Sequence, residues 1–246
     1  MNFFVEALAF ITDPARLTGP DGIPVRLGEH LLYTVAAVAL ASLVAIPAGY
    51  LIGHTGKGRT IAVALTGGVR ALPTVGVVFG LALLMGIGST PPMIAFVVLA
   101  VPSVLAGAYS GFEAVDRATI DAARAMGMTE SQIVRKVEVP LGLPLLIGGI
   151  RSATLQVVAT ATVAAVVGAG GLGTYIFRGL RSNDYVQMLA GSVLVIALAI
   201  VIEVVFATVQ RLVVPAGVAA GRPTDSRAPA LRSRTSERSL QEGTQS

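Results

Sequence analysis

Two glycine-rich stretches come closest to a chemical motif in this chain, and both fall short of one. "GHTGKGRT", residues 53–60, sets a lysine between glycines. It lacks the second glycine at the spacing that wraps a phosphate, and no water-exposed helix of the right kind follows. "GAGGLG", residues 168–173, has the look of a dinucleotide turn but follows no strand and opens no βαβ unit. ATP hydrolysis and cofactor binding by the chain itself are therefore not expected. Cysteine is absent, and His30 and His54 lie far apart beside different apolar runs, so neither a disulfide nor a metal site is expected. The acids, histidines and serines fall in no catalytic spacing. What remains is a set of polar residues inside an apolar stretch: Thr154, Gln156, Thr160 and Thr162. They are candidates for lining a solute path or for hydrogen-bonding one helix to another.

The elements that must position such residues are membrane spans. Of the 246 residues, 54% are hydrophobic and 13% charged, with a mean hydropathy of +0.77, whereas a soluble domain carries about a quarter charged residues. A span needs about 20 apolar residues, and Leu31 to Ile52 supplies them without a charge. The stretch from Ile61 to Ile87 carries Arg70 and Pro73, which suggests an interfacial segment leading through a kink into a span from about Leu72. Further spans are expected from Met93 to about Gly111, from about Leu145 to Val167, and from about Met188 to Val209, where Glu203 is the one acid. "FFVEALAF", near the start, reads as an interfacial helix, and the basic n-region of a signal peptide is missing. Pro47, Gly49, Gly53, Pro73, Gly76 and Gly80 recur within the spans, for close helix packing or for a path.

Five spans put the ends on opposite sides. Lys57, Arg59, the basic residues between the third and fourth spans, and the tail all fall on one side, which the positive-inside bias makes cytoplasmic. The N-terminus is then outside and the C-terminus inside. The net charge is +4, but six of the eighteen basic residues lie from Arg211 onward. Residues 212–246 have the composition of a disordered basic tail near anionic lipid, not of a DNA-binding arm.

The cytoplasmic stretch Glu113 to Pro140 is the most informative. Asp116 is placed to cap a helix whose Ala118, Ala122 and Ala125 share a face, and Gly127 to end it with a positive φ. Thr129 and Gln132 form a capping box for a second helix that Pro140 is expected to close. Such a pair could read DNA in a soluble protein. Here it is tethered to spans at both ends, and Glu113, Asp116, Asp121, Glu130 and Glu138 offset its four cations, so no phosphate-binding stripe forms and no nucleic acid is expected. Seating in a groove on a partner protein suits it better.

"DAARAMGMTESQIVRKVEVPLGLP" resembles the coupling loop of type I ABC importer permeases, in which Glu-Ala-Ala is followed by three residues, Gly, and later Leu-Pro. Asp121, Ala122, Ala123 and Gly127 match the first part, and Pro140 the last. Asp121 stands where the pattern has Glu, and Val139 where it has Leu. "EHLLYTVAAVALASLVAIPAGYLIGH", "RALPTVGVVFGLALLMGIG" and "GIRSATLQVVATATVAAVVGAGGLGTYIFRGL" extend the resemblance over residues 29–211 and look most like permeases for glycine betaine, proline betaine, carnitine or choline. "RALP" and "GAGGLG" also occur in amino-acid importers such as methionine permeases.

The resemblance implies an all-α fold of about five transmembrane helices with a two-helix cytoplasmic coupling loop, and a multi-pass place in a prokaryotic cytoplasmic membrane. It implies as partners ATPase subunits that bind the ATP, an extracytoplasmic solute-binding protein, a second permease copy or paralogue, and the lipid bilayer. Residues 1–28 would be an outer or interfacial segment. An ion-coupled secondary transporter is the alternative from another class, with Glu203 its one candidate acid.

Overall fold

The computed structural model describes residues 2–213. Among them the chain is helical, with no strand: α1 (Phe3–Thr12), α2 (Ile23–Thr55), α3 (Arg59–Ala71), α4 (Thr74–Met85), α5 (Thr90–Glu113), α6 (Arg117–Ala125), α7 (Glu130–Ile133), α8 (Val139–Ala164), α9 (Gly173–Ser182) and α10 (Tyr185–Val213). The expected tail, apart from its first two residues, lies outside the described residues.

Helices α2, α5, α8 and α10 are each long and apolar enough to cross a membrane, and α3 with α4 can form a fifth crossing bent by 83°. The bend has a local cause. Pro73 offers no N–H and holds Leu72 in an extended conformation (φ −68°, ψ 133°), so the α3 helix cannot run through it.

Four glycine contacts set the directions of the central helices. A β-carbon on Gly53 would come within 2.6 Å of Phe112 Cβ, and one on Gly49 would overlap Ala108, so α2 and α5 run parallel. Between α5 and α8 the pairs are Gly107 with Gly149 and Gly111 with Gly142, an antiparallel crossing in which backbones touch. Parallel α2 and α5 require the intervening chain to cross back. The α3–α4 pair is therefore one broken span, and the five crossings leave the start of α2 and the end of α10 at opposite faces.

Phe96, Leu99 and Val104 of α5 are fully buried at the centre of this packing. α10 lies at the periphery, where Ile196, Ile200, Val201, Val204 and Val205 stay exposed. A hydrocarbon surrounding makes such a surface ordinary. Gly49 and Gly53 are thus used for close packing, whereas a β-carbon on Gly80 would meet nothing within 4 Å.

The expectation that Pro140 closes the second loop helix is corrected. α7 passes through a π-turn, Val134–Glu138, directly into α8, with the Val139 N–H bonded to the Val134 carbonyl. Pro140 falls in the first turn after that widened turn, where a missing N–H costs nothing, and the helix continues to Ala164. The fourth span accordingly starts before Leu145.

Candidate functional site

The loop between α5 and α8 is built by its caps. Asp116 Oδ1 accepts the Ala118 N–H at 3.0 Å and starts α6. At the other end Gly127 (φ +82°) donates its N–H to the Arg124 carbonyl, and Met128 to that of Ala123, which is a Schellman closure. Thr129 and Gln132 exchange both bonds of a capping box. Arg124 ties the two helices together through a forked contact to Glu130 (2.8 and 3.1 Å) and reaches Asp121 Oδ1 at 3.3 Å. The Glu130 carboxylate, with Asp121 behind it, holds the Arg124 guanidinium above its usual pKa.

Within the motif the residues part company. Ala123 and Ile133 are buried, seating the loop on the membrane body. Ala118, Ala122, Ala125 and Met126 are exposed, as is the Asp121 carboxylate, 73% accessible. The alanine face is therefore free for another surface while the loop's own anchor is Ala123.

Side-chain contacts from His54 and Arg59 fasten the loop to the ends of other helices. His54, at the end of α2, has Nδ1 2.7 Å from Glu138 Oε2 and Nε2 3.6 Å from Glu130 Oε2. Arg59, opening α3, lies 3.0 Å from Glu113. Beneath α6, His54, Glu138, Arg59 and Glu113 line a cavity of about 500 Å³ with Arg117 and Asp121. Sequence reading missed the His54 contact, since its partner lies 84 residues away.

The four polar residues singled out on α8 do not converge. Thr154, Thr160 and Thr162 each donate to the carbonyl four residues back, at 2.8, 2.8 and 3.1 Å. Thr154 borders an apolar groove of about 380 Å³ between α2, α8 and α10. Gln156 points elsewhere: its Oε1 accepts from Ser103 Oγ of α5 at 3.4 Å, and Ser103 in turn accepts from Arg70 Nη2 of α3 at 3.4 Å. Glu203, read as a lone acid, is paired with Arg151 of α8, which also contacts Gln210.

At the opposite face, "GAGGLG" is held by the start of α2. Glu29 Oε2 accepts the Gly171 N–H at 2.8 Å and the Arg26 guanidinium at 2.8 Å. His30, fully buried, accepts the Leu172 N–H on Nδ1 and donates from Nε2 to the Val158 carbonyl at 3.1 Å. That arrangement requires the neutral Nε2–H imidazole. Gly170 and Gly171 have φ near +75°, and a β-carbon on Gly170 would lie 2.6 Å from Glu29 Oε2. The glycines let backbone N–H groups approach the Glu29 and His30 side chains. Outside the spans, Arg178 and then Arg26 bond the Asp21 carboxyl and hold its pKa below the usual value.

Residues 37–216 match the model of the family described as binding-protein-dependent transport system inner membrane component. The glycine betaine/carnitine/choline transport system permease protein of Bacillus subtilis is 34% identical over 193 residues, 78% of this chain and 89% of that one. A choline transport system permease protein of the same organism is 34% identical over 190 residues, 77% and 88% of the two chains. The carnitine transport permease protein of Listeria monocytogenes is 30% identical over 198 residues, 80% and 91%. Among solved structures, an inward-facing methionine ABC transporter superposes with a TM-score of 0.68 at 24% identity, covering 78% of this chain and 95% of that one. An amino acid ABC transporter gives 0.59 at 19%, covering 76% and 90%. These structures share the fold.

Proposed function

The chain belongs to the family of binding-protein-dependent transport system inner membrane components, ABC importer permeases, and from that premise we propose that its solute is a small osmoprotectant of the betaine, carnitine or choline type. It is a multi-pass membrane permease and not an enzyme. The observation that carries the solute class is the 34% identity to the Bacillus subtilis glycine betaine/carnitine/choline permease across nearly its whole length. Amino-acid import has weaker support, because its representatives enter through fold similarity at 24% identity and below.

In this reading two copies, or a copy and a paralogue, enclose the path, and a binding protein delivers solute at the face carrying α9 and the glycine loop. That face is extracytoplasmic, with α1 at the outer interface and residues 1–28 outside the membrane domain of residues 29–211. The loop 113–140 lies in the cytoplasm and docks through Ala122 and its exposed neighbours on an ATPase that binds the ATP. Asp121 faces that partner, Ala123 and Gly127 give the loop its shape, and Pro140 lies where it joins α8. ATP-driven closure of the ATPase pair pushes the loop, and the pairs at His54 and Arg59 pass the movement to α2 and α3.

Expression with a cognate ATPase and binding protein, in cells lacking their own osmolyte uptake, tests the solute class. Glycine betaine, carnitine or choline should restore growth at high osmolarity and accumulate at least tenfold over vector controls. Accumulation of methionine with none of the three would reject it.

A further inference from the structure

Arg70 occupies an unusual position for a cation. The outer turn places Gly88 level with Val167, the Gly88 N–H bonding the Val167 carbonyl at 3.1 Å. α4, 12 residues and roughly 18 Å long, leads from that level to the break at Pro73, where it meets α3 at 83°. Ser103 lies roughly 20 Å down α5 and Gln156 roughly 18 Å down α8 by the same helical rise. The three side chains therefore meet well inside a hydrocarbon layer about 30 Å thick. Arg70 is exposed, makes no ion pair among the described residues, and spends a single N–H on Ser103.

An ionised guanidinium at such depth, with most of its donors unused, is costly against lipid. It is sustainable where the helix break opens on a water-filled path, as irregular backbone at membrane depth generally does. Ser103 is buried, and Gln156 Oε1 holds its hydroxyl, so the Arg70 fork is steadied from one side and open on the other.

Resting on the permease reading above, we infer that Arg70, braced by Ser103 and Gln156, is a solute-binding group of the path that receives the carboxylate of the transported molecule. A guanidinium fork matches a carboxylate through two parallel N–H bonds and repels a bare cation. The path thereby favours solutes carrying both a quaternary ammonium and a carboxylate, such as glycine betaine or carnitine, over choline. A single fork in a wet path binds weakly enough to release.

Proteoliposomes holding the complete transporter, with permease, ATPase and binding protein, supply the test. Initial uptake of glycine betaine, choline and methionine is measured at saturating binding protein for wild type, Arg70→Lys, Arg70→Gln and Ser103→Ala. Arg70→Gln should lower glycine betaine uptake at least tenfold and leave choline uptake within twofold, with Arg70→Lys intermediate and Ser103→Ala down about threefold. The retained choline uptake shows that the variant folds and couples. Equal losses for glycine betaine and choline, or no loss for glycine betaine, overturn the inference, as does a wild type that carries choline but neither carboxylate. A wild type that carries methionine alone rejects the osmoprotectant reading instead. Methionine is itself a carboxylate, so its uptake should still fall tenfold in Arg70→Gln, and full retention overturns the assignment of Arg70.

Discussion

His54 Nδ1 lies 2.7 Å from Glu138 Oε2 and so joins the end of α2 to the π-turn where the loop becomes α8. Glu138 is only 3% exposed. Removing His54 leaves the buried Glu138 carboxylate without its hydrogen-bond partner, which costs about 3 kcal/mol, the upper end for an unsatisfied buried acceptor because the group is a carboxylate.

His54→Ala is expected to insert normally, to become more readily cleaved by protease within residues 113–140, and to lose most ATP-driven uptake. His54→Ala with Glu138→Leu should regain at least half of the lost protease resistance, since no charge is then left buried. If the double variant is as labile as the sum of the two single ones, the pair is not the tether.

Adjacent glycines on α8 separate packing from chance. A β-carbon on Gly149 would lie 2.7 Å from the Ser103 carbonyl and 2.8 Å from Gly107 Cα, whereas one on Gly148 would meet only Gln210 Nε2 at 3.9 Å. Gly149→Ala should destabilise the detergent-solubilised protein by about 1–3 kcal/mol through overpacking. Gly148→Ala should be neutral or gain up to about 1 kcal/mol from helix propensity. Thermal unfolding of the pair decides it, and equal midpoints would contradict the backbone contact between α5 and α8.

Gly127 has φ +82° and no atom within 4 Å of where a β-carbon would sit, so the cost of a side chain there is conformational alone. That cost is about 1–2 kcal/mol for an ordinary residue and more for a β-branched one, while Asn tolerates the region. Gly127→Val should cut ATP-driven uptake at least tenfold at normal membrane levels, and Gly127→Asn should stay near wild type. Wild-type uptake by an inserted Gly127→Val protein would sink the coupling role of the turn.

Sidedness is checked with single cysteines in this cysteine-free chain. Lys57 lies at the end of the bundle that carries α6, and Ser89 at the other. An impermeant thiol reagent applied to intact cells should label Ser89→Cys and spare Lys57→Cys. Labelling of residue 57 alone would invert the orientation.

The spans and the caps of the loop were legible because their causes are local. Apolar runs, Asp116, Gly127, Thr129 and Gln132 act within a few residues of themselves. Arg151 with Glu203, His54 with Glu138, and the Arg70, Ser103 and Gln156 chain join residues 33 to 84 apart in sequence. No spacing rule within one helix announces them. Thr154 and Gln156 looked alike in composition, yet they point to different helices because residues two apart face away from each other on an α-helix. Pro140 misled for a related reason: the π-turn that accommodates it leaves no mark in residue type.

Everything rests on the chain being a conduit driven by a separate ATPase through residues 113–140. Uptake into proteoliposomes under two driving forces measures this directly. Accumulation of solute should require ATPase, ATP and binding protein together and should be unaffected by collapsing proton and sodium gradients. Accumulation by the permease alone, driven by either gradient and abolished by Glu203→Gln, would contradict the account and restore the ion-coupled alternative.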